Sequence, residues 1–139
     1  MILIIRIAGQ VGINSDVKEA LHRLYLRRKY SAALLNPTPQ NLKLLKKIRN
    51  HVAYGDITKE TLAELIKQRA QPINKDTKID PKEIVSGLEK KTLKQLKLKP
   101  FFRLHPPRKG IESKKHFGVG KGVLGDNKSS INDLVRRML

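Results

Sequence analysis

Cysteine is absent from the 139 residues, which excludes a disulfide-stapled scaffold and a cysteine-ligated zinc module. Tryptophan is absent as well, and aromatic residues make up only 4%. Long hydrophobic runs are missing: the longest, Met1 to Ile5, is broken by Arg6, whereas a membrane-spanning helix needs about 20 apolar residues. A membrane protein is therefore not expected. The basic stretch, apolar run and small-residue cleavage site of a secretory leader are missing too, so a cytoplasmic location is expected. Acidic residues are scarce, 12 against 30 Lys and Arg, and they are scattered rather than clustered. A nuclease would want grouped carboxylates to hold metal ions.

What remains is an aliphatic, strongly basic chain. Apolar residues reach 39%, lean but sufficient for one core, since a chain of this size buries roughly 70% of its unfolded surface. The formal charge is +18, far above the magnitude of about 2–8 that solubility asks of a small domain. Such a charge is self-repelling in isolation and is relieved on meeting phosphate through counterion release. A nucleic acid is the expected partner. The charge is also uneven: residues 1–55 hold ten Lys/Arg and two Asp/Glu, residues 56–98 ten and seven, and residues 99–139 ten and three. Two basic regions flank a nearly balanced one, so the ends are expected to face nucleic acid and the middle to pack on protein or face solvent.

Local patterns organise the chain into three parts. Residues 2–8 are β-branched and apolar and read as a strand. A helix follows, capped within Asn14–Asp16, with Glu19 placed to complete a capping box, and with Val17, Ala20, Leu21 and Leu24 as its stripe. It is expected to run into Arg27, Arg28 and Lys29, where cations suit the negative helix end. Tyr30 to Leu35 reads as a second strand. Thr38 and Pro39 open a second helix, which buries Leu42, Leu45 and Ile48. Val52 to Tyr54 reads as a third strand, ended by Gly55. Residues 1–57 thus form a β-α-β-α-β core, an α+β unit.

Residues 58–98 read as a helical extension. Thr58 caps one helix, and Asp80 with Pro81 opens another that buries Ile84, Val85 and Leu88. A short helix and a strand both fit residues 94–99. Residues 99–139 form a basic Pro/Gly-rich arm and a last helix, in which Ile131, Leu134, Val135 and Met138 keep helical spacing and Ser130 is placed to cap. Phe101 to Leu104 is expected to be extended between Pro100 and Pro106. Residues 108–130, with five glycines and six Lys/Arg, are expected to be loop that orders only on binding nucleic acid.

Gly120-Lys-Gly122-Val-Leu-Gly125 matches the dinucleotide-binding G-x-G-x-x-G pattern, but only fourteen residues follow, too few to supply the acidic ribose ligand. It fails as a P-loop because Gly122 stands where Ser or Thr is required. A loop letting backbone approach a phosphate closely is the better reading. His22, His51, His105 and His116 lack metal-ligand spacing, and capping accounts for Asp56 and Glu60; no metal, cofactor, catalytic residue or small-molecule substrate is expected. Arg103-Leu-His-Pro-Pro-Arg108-Lys109 is harder to read blandly. It sets two Arg and a His on a stiff Pro-Pro segment suited to a phosphate-lined groove.

Phe102-Arg-Leu-His-Pro-Pro-Arg108, with Gly110, Lys115-His116-Phe117, Gly120, Gly122, Gly125 and Ile131-Asn132-Asp133-Leu134, closely resembles the L-thirty family of large-subunit ribosomal proteins in its long archaeal and eukaryotic-like form. The β-α-β-α-β core, the Tyr54-Gly55-Asp56-Ile57 turn and Thr61-Leu62 look like that family too. Two departures are Lys109, where the family often has Gly, and Gly118-Val119-Gly120-Lys121, which replaces a stretch that often includes Glu.

The resemblance implies a three-stranded antiparallel sheet with two helices on one face, related to the ferredoxin-like fold. It also implies a structural role in translation, bound to large-subunit rRNA, near 5S rRNA and beside neighbouring ribosomal proteins. The residues expected to carry RNA are Arg27, Arg28, Lys29, Lys46, Lys47, Arg49, Arg103, His105, Arg108, Lys109, Lys114, Lys115, His116 and Lys121. The alternative is a DNA-binding nucleoid or regulatory protein using the basic Lys43/Lys46/Lys47 helix. That reading wants base contacts in a helix's first turns and gives the glycine-rich tail no role.

Overall fold

The computed structural model describes residues 1–9, 11–76 and 78–139. The expected core is present: β1 (Ile2–Arg6), α1 (Ser15–Arg23), β2 (Ser31–Leu35), α2 (Pro39–Ile48) and β3 (Val52–Asp56). After it come α3 (Lys59–Arg69), α4 (Pro81–Gly87), β4 (Phe102–Arg103), β5 (Glu112–His116), β6 (Gly122–Asp126) and α5 (Ile131–Met138). The sheet is wider than three strands. Its order is β4-β2-β1-β3-β6-β5, so residues beyond 99 extend both sides of the first three strands. β1 is antiparallel to β2, with Ile4 opposite Ala33, and to β3, with Ile4 opposite Tyr54. β6 runs parallel to β3, with Ala53 opposite Gly125, and β5 lies outside β6 in a parallel register that shifts between Glu112 and His116.

Alternation along β1 splits the core in two, because successive strand side chains point to opposite faces. Ile2 and Ile4 pack with Ala20 and Leu21 of α1 and Leu45 and Ile48 of α2. Leu3, Ile5 and Ile7 pack on the other face with Leu62, Leu65 and Ile66 of α3 and with Ile131, Leu134, Val135 and Met138 of α5. The two expected helices do share one face. The extension covers the second, making three layers.

The caps follow local chemistry. Thr38 Oγ1 accepts from Asn41 N (3.3 Å), Thr58 Oγ1 from Thr61 N (3.3 Å) and Asp80 Oδ1 from Lys82 N (3.1 Å). Two details differ from expectation. Asn14, within the expected span, caps α1 by accepting from Asp16 N (3.2 Å), but Glu19 pairs with Arg23 instead of closing a capping box. Ser130 makes no side-chain cap, because a 3-10 turn over Lys128–Ser130 leads directly into α5. Asn132 fastens that helix from another direction: its Oδ1 accepts from Thr58 N (2.9 Å), and its Nδ2 donates to Asp56 O (3.2 Å) and Ser129 O (2.8 Å).

Other boundaries also shift. α1 stops at Arg23, and Tyr25 turns the chain in the left-handed region (φ 62°), so Arg27–Lys29 lie in the following loop and not at a helix end. Residues 94–97 form turns, and Leu98 bridges Pro72. Gly55 lies inside β3 rather than ending it.

Residues 108–130 are not wholly loop, since β5 and β6 fall within them. Val123 and Leu124 are buried in the core, and Gly122 lets strands meet: a Cβ there would lie 2.2 Å from the His116 carbonyl. A glycine serving close approach has the same sequence signature as one serving a turn. Amides of Val123 and Leu124 should therefore exchange slowly in the RNA-free protein, whereas those of the exposed 117–121 turn exchange fast. Hydrogen-exchange mass spectrometry checks this, and uniformly fast exchange over residues 122–126 would contradict β6.

Candidate nucleic-acid interface

Arg6 organises one end of the sheet. β1 and β4 finish there, and β2 and β3 begin there, with Arg6 opposite Val52 and Arg103 opposite Ser31. The Arg6 guanidinium is almost fully buried. It donates to Leu26 O (2.7 Å), Ala8 O (3.0 Å) and Gly9 O (3.1 Å). Among the described residues no carboxylate forms an ion pair with it, and desolvation lowers its pKa. An arginine stays charged regardless, so three backbone carbonyls, not a counterion, hold this cation. They in turn fix the loops after β1 and before β2.

The basic residues are delivered to this end by identifiable bonds. Tyr30 N donates to Arg6 O (2.7 Å) and Ser31 N to Arg28 O (3.2 Å), which sets exposed Arg27, Arg28 and Lys29 beside the end of β1. Lys29 Nζ sits 5.1 Å from the Tyr30 ring centroid. Leu104 N donates to Tyr30 O (3.1 Å), bringing Arg103 and the Pro-Pro arm against the same loop. The arm is fastened to the end of α5: His105 N donates to Met138 O and Arg108 N to Arg137 O, both 3.0 Å. Arg137 answers with donation from Nε to Arg108 O (3.0 Å) and from Nη2 to Gly110 O. α2 also ends here, because it delivers the chain to Val52, and so Lys46, Lys47 and Arg49 join the group. Cations at that position suit the negative end of the helix dipole.

Thus Arg27, Arg28, Lys29, Lys46, Lys47, Arg49, Arg103, His105, Arg108 and Lys109 gather at the Arg6 end, all exposed. Lys121, just before β6, extends the group, since the Ala53–Gly125 register carries Gly122 past the start of β3. Lys114, Lys115 and His116 are set apart on the outer strand β5, where Lys115 pairs with Glu112 at 3.1 Å. The sequence reading missed Arg6, His51 and Arg137. Arg137 had a signal, a cation in the last turn of an amphipathic helix; for Arg6 and His51 no local signal exists. Gly120–Gly125 leads into β6 and not into a helix, so it is no dinucleotide turn. Among the described residues no group of three or more His, Asp or Glu could hold a metal.

His51 carries a pH dependence. Its carbonyl accepts from Ile7 N and Ala8 N, both 3.0 Å, and burial first, then the Arg6 charge, lowers its imidazole pKa. The folded state therefore keeps this ring neutral at a pH where the unfolded chain protonates it. The stability involved is complete above the ordinary value of about 6.5 and is lost as pH falls below it. Urea midpoints at about pH 7.5 and pH 5 should differ more for the native chain than for His51→Gln. Parallel shifts in the two proteins would assign the dependence elsewhere.

No family model matches the chain. Individual proteins do. The large ribosomal subunit protein uL30 of Methanococcus maripaludis is 35% identical, over 98% of this chain and 97% of its own. That of Methanosphaera stadtmanae is 34% identical over the whole of both chains, and that of Nanoarchaeum equitans 34% identical over 98% and 97%.

Proposed function

Because the chain belongs to the uL30 family of large ribosomal subunit proteins, we propose that the basic Arg6 end of its sheet is the surface that binds large-subunit rRNA. The chain is a structural constituent of the large subunit and not an enzyme, and it works on the ribosome in the cytoplasm among rRNA and neighbouring ribosomal proteins. One observation carries the RNA assignment. Three separate basic segments, Arg27–Lys29, the end of α2 and the Arg103–Lys109 arm, converge on one end of one sheet. Lys114 and His116 on the outer strand β5 supply a second contact, and 5S rRNA is the second RNA within this assignment. α2 carries no cation in its first turn and gathers Lys46 and Lys47 in its last, the wrong end for a DNA-reading helix.

Filter binding to a large-subunit rRNA fragment and to 5S rRNA over a salt series tests this. Log affinity should fall steeply with log salt, and Arg103→Ala and Arg108→Ala should each lower the slope by about one unit. Arg28→Ala should do the same. Lys90→Ala and Lys91→Ala, beyond α4, should not. An affinity indifferent to salt would remove the electrostatic reading, and binding only to the large fragment would remove 5S rRNA from it.

A further inference from the structure

The opposite end of the sheet, where β1 starts and β2 finishes, carries a groove that the rRNA assignment leaves unused. β4 pairs only with Ser31 and Ala32 of β2. Ala33, Leu34 and Leu35 pair with β1 on one side, and among the described residues no strand pairs with them on the other. β4 cannot grow to cover them. By register Pro100 would fall opposite Leu34, and it has no N–H to give. The chain before it is tied elsewhere, with Lys99 N donating to Gln71 O at 2.8 Å.

A cavity of about 410 Å³ opens at this uncovered edge. Its lining comes from both faces of the sheet, with Leu24 and Leu35 packing on the α1/α2 side and Met1, Leu34 and Leu93 on the other. The rim is cationic: Lys90, Lys91 and Lys94, the last donating to the Tyr25 hydroxyl, while Arg23 is paired with Glu19. Its single carboxylate, Glu89, is already paired with Lys59 at 2.9 Å.

We infer that this groove docks an extended, acidic segment of a neighbouring protein, which lies along Ala33–Leu35 as an added strand. An open strand edge offers main-chain donors and acceptors to another polypeptide backbone. The apolar floor takes the alternate side chains of such a segment, and the rim takes carboxylates. Nucleic acid shares the attraction to the rim, but it has no backbone to pair with a strand and no use for an aliphatic floor. The inference rests on the chain's place in the large subunit and on nothing about which rRNA it contacts.

The test uses purified large subunits carrying the full-length tagged chain. A zero-length carbodiimide should join Lys90, Lys91 or Lys94 to Asp or Glu within one short stretch of one other protein. Those lysines should resist acetylation in the subunit yet react in the free chain. The Lys90→Glu/Lys91→Glu/Lys94→Glu variant should still enter the subunit and lose the cross-links. Ultraviolet cross-links from these lysines to rRNA, or free acetylation without any protein cross-link, would overturn the groove while leaving the ribosomal reading intact. A tagged chain that never enters the subunit would remove both.

Discussion

Replacing Arg6 with leucine is expected to cost about 3–5 kcal/mol of folding stability, at the top of the range for single substitutions. Leucine can occupy part of the volume. It cannot bond the carbonyls of Leu26, Ala8 and Gly9, which the guanidinium now satisfies, and each buried acceptor left unpaired costs roughly 1–3 kcal/mol. Arg6→Lys should lose less, since an ammonium keeps the charge, but it lacks the planar fork that reaches three acceptors at once. Urea unfolding of the three proteins measures this. A leucine variant within about 1 kcal/mol of the native chain would mean that water replaces the guanidinium. The same variants should weaken RNA binding beyond the loss of one phosphate contact, because the loops that carry Arg27–Lys29 lose their anchor.

Gly55→Val should be the second large effect, about 3 kcal/mol or more. A Cβ at Gly55 would sit 2.3 Å from the Lys128 carbonyl and 2.9 Å from Ile131 Cβ, so the 3-10 turn and the start of α5 must move away. Overpacking against backbone is relieved only by such a shift. The damage should travel: α5 holds the Pro-Pro arm through Met138 O and Arg137 O, so the amides of His105 and Arg108 should lose exchange protection together with α5. Gly9→Ala, where an added Cβ meets nothing within 4 Å, is the neutral control. A variant that melts at the native temperature with Arg108 still protected would show that β3 and α5 are not packed as described.

The legible part of the fold is the part governed by local chemistry. Thr38-Pro39, Thr58 and Asp80-Pro81 announce their helices because a capping side chain and its amide lie within three residues of each other. β1 and β2 show as aliphatic runs. What was illegible depends on distant partners. Gly122 and Gly125 look like loop residues until His116 and Ala53 stand beside them. Arg6 looks like the interruption of an apolar strand, because the carbonyls that justify burying it come from Ala8, Gly9 and Leu26 after the chain has turned. The candidate interface divides the same way. Buried Arg6 and half-buried His51 aside, the basic residues that gather at the Arg6 end could be named from charge and context, Arg137 included. Their convergence could not, since it needs the register of Arg103 against Ser31 and of Arg6 against Val52.

The position of β4 and β6 has a consequence for synthesis. Both strands that flank the first three come from residues beyond 99, and Ala53 must wait for Gly125. A nascent chain that has emerged only through β3 therefore has a three-stranded sheet with two open edges. One of its faces, with Leu3, Ile5 and Ala53, still lacks α3 and α5. Contacts so distant in sequence are slow to form, because loop closure comes before any gain. Exposed edges and apolar surface invite association with other chains in the interval. The hazard lies in the order of emergence from the exit tunnel, and it eases only as β4 pairs with the start of β2 and β6 later pairs with β3.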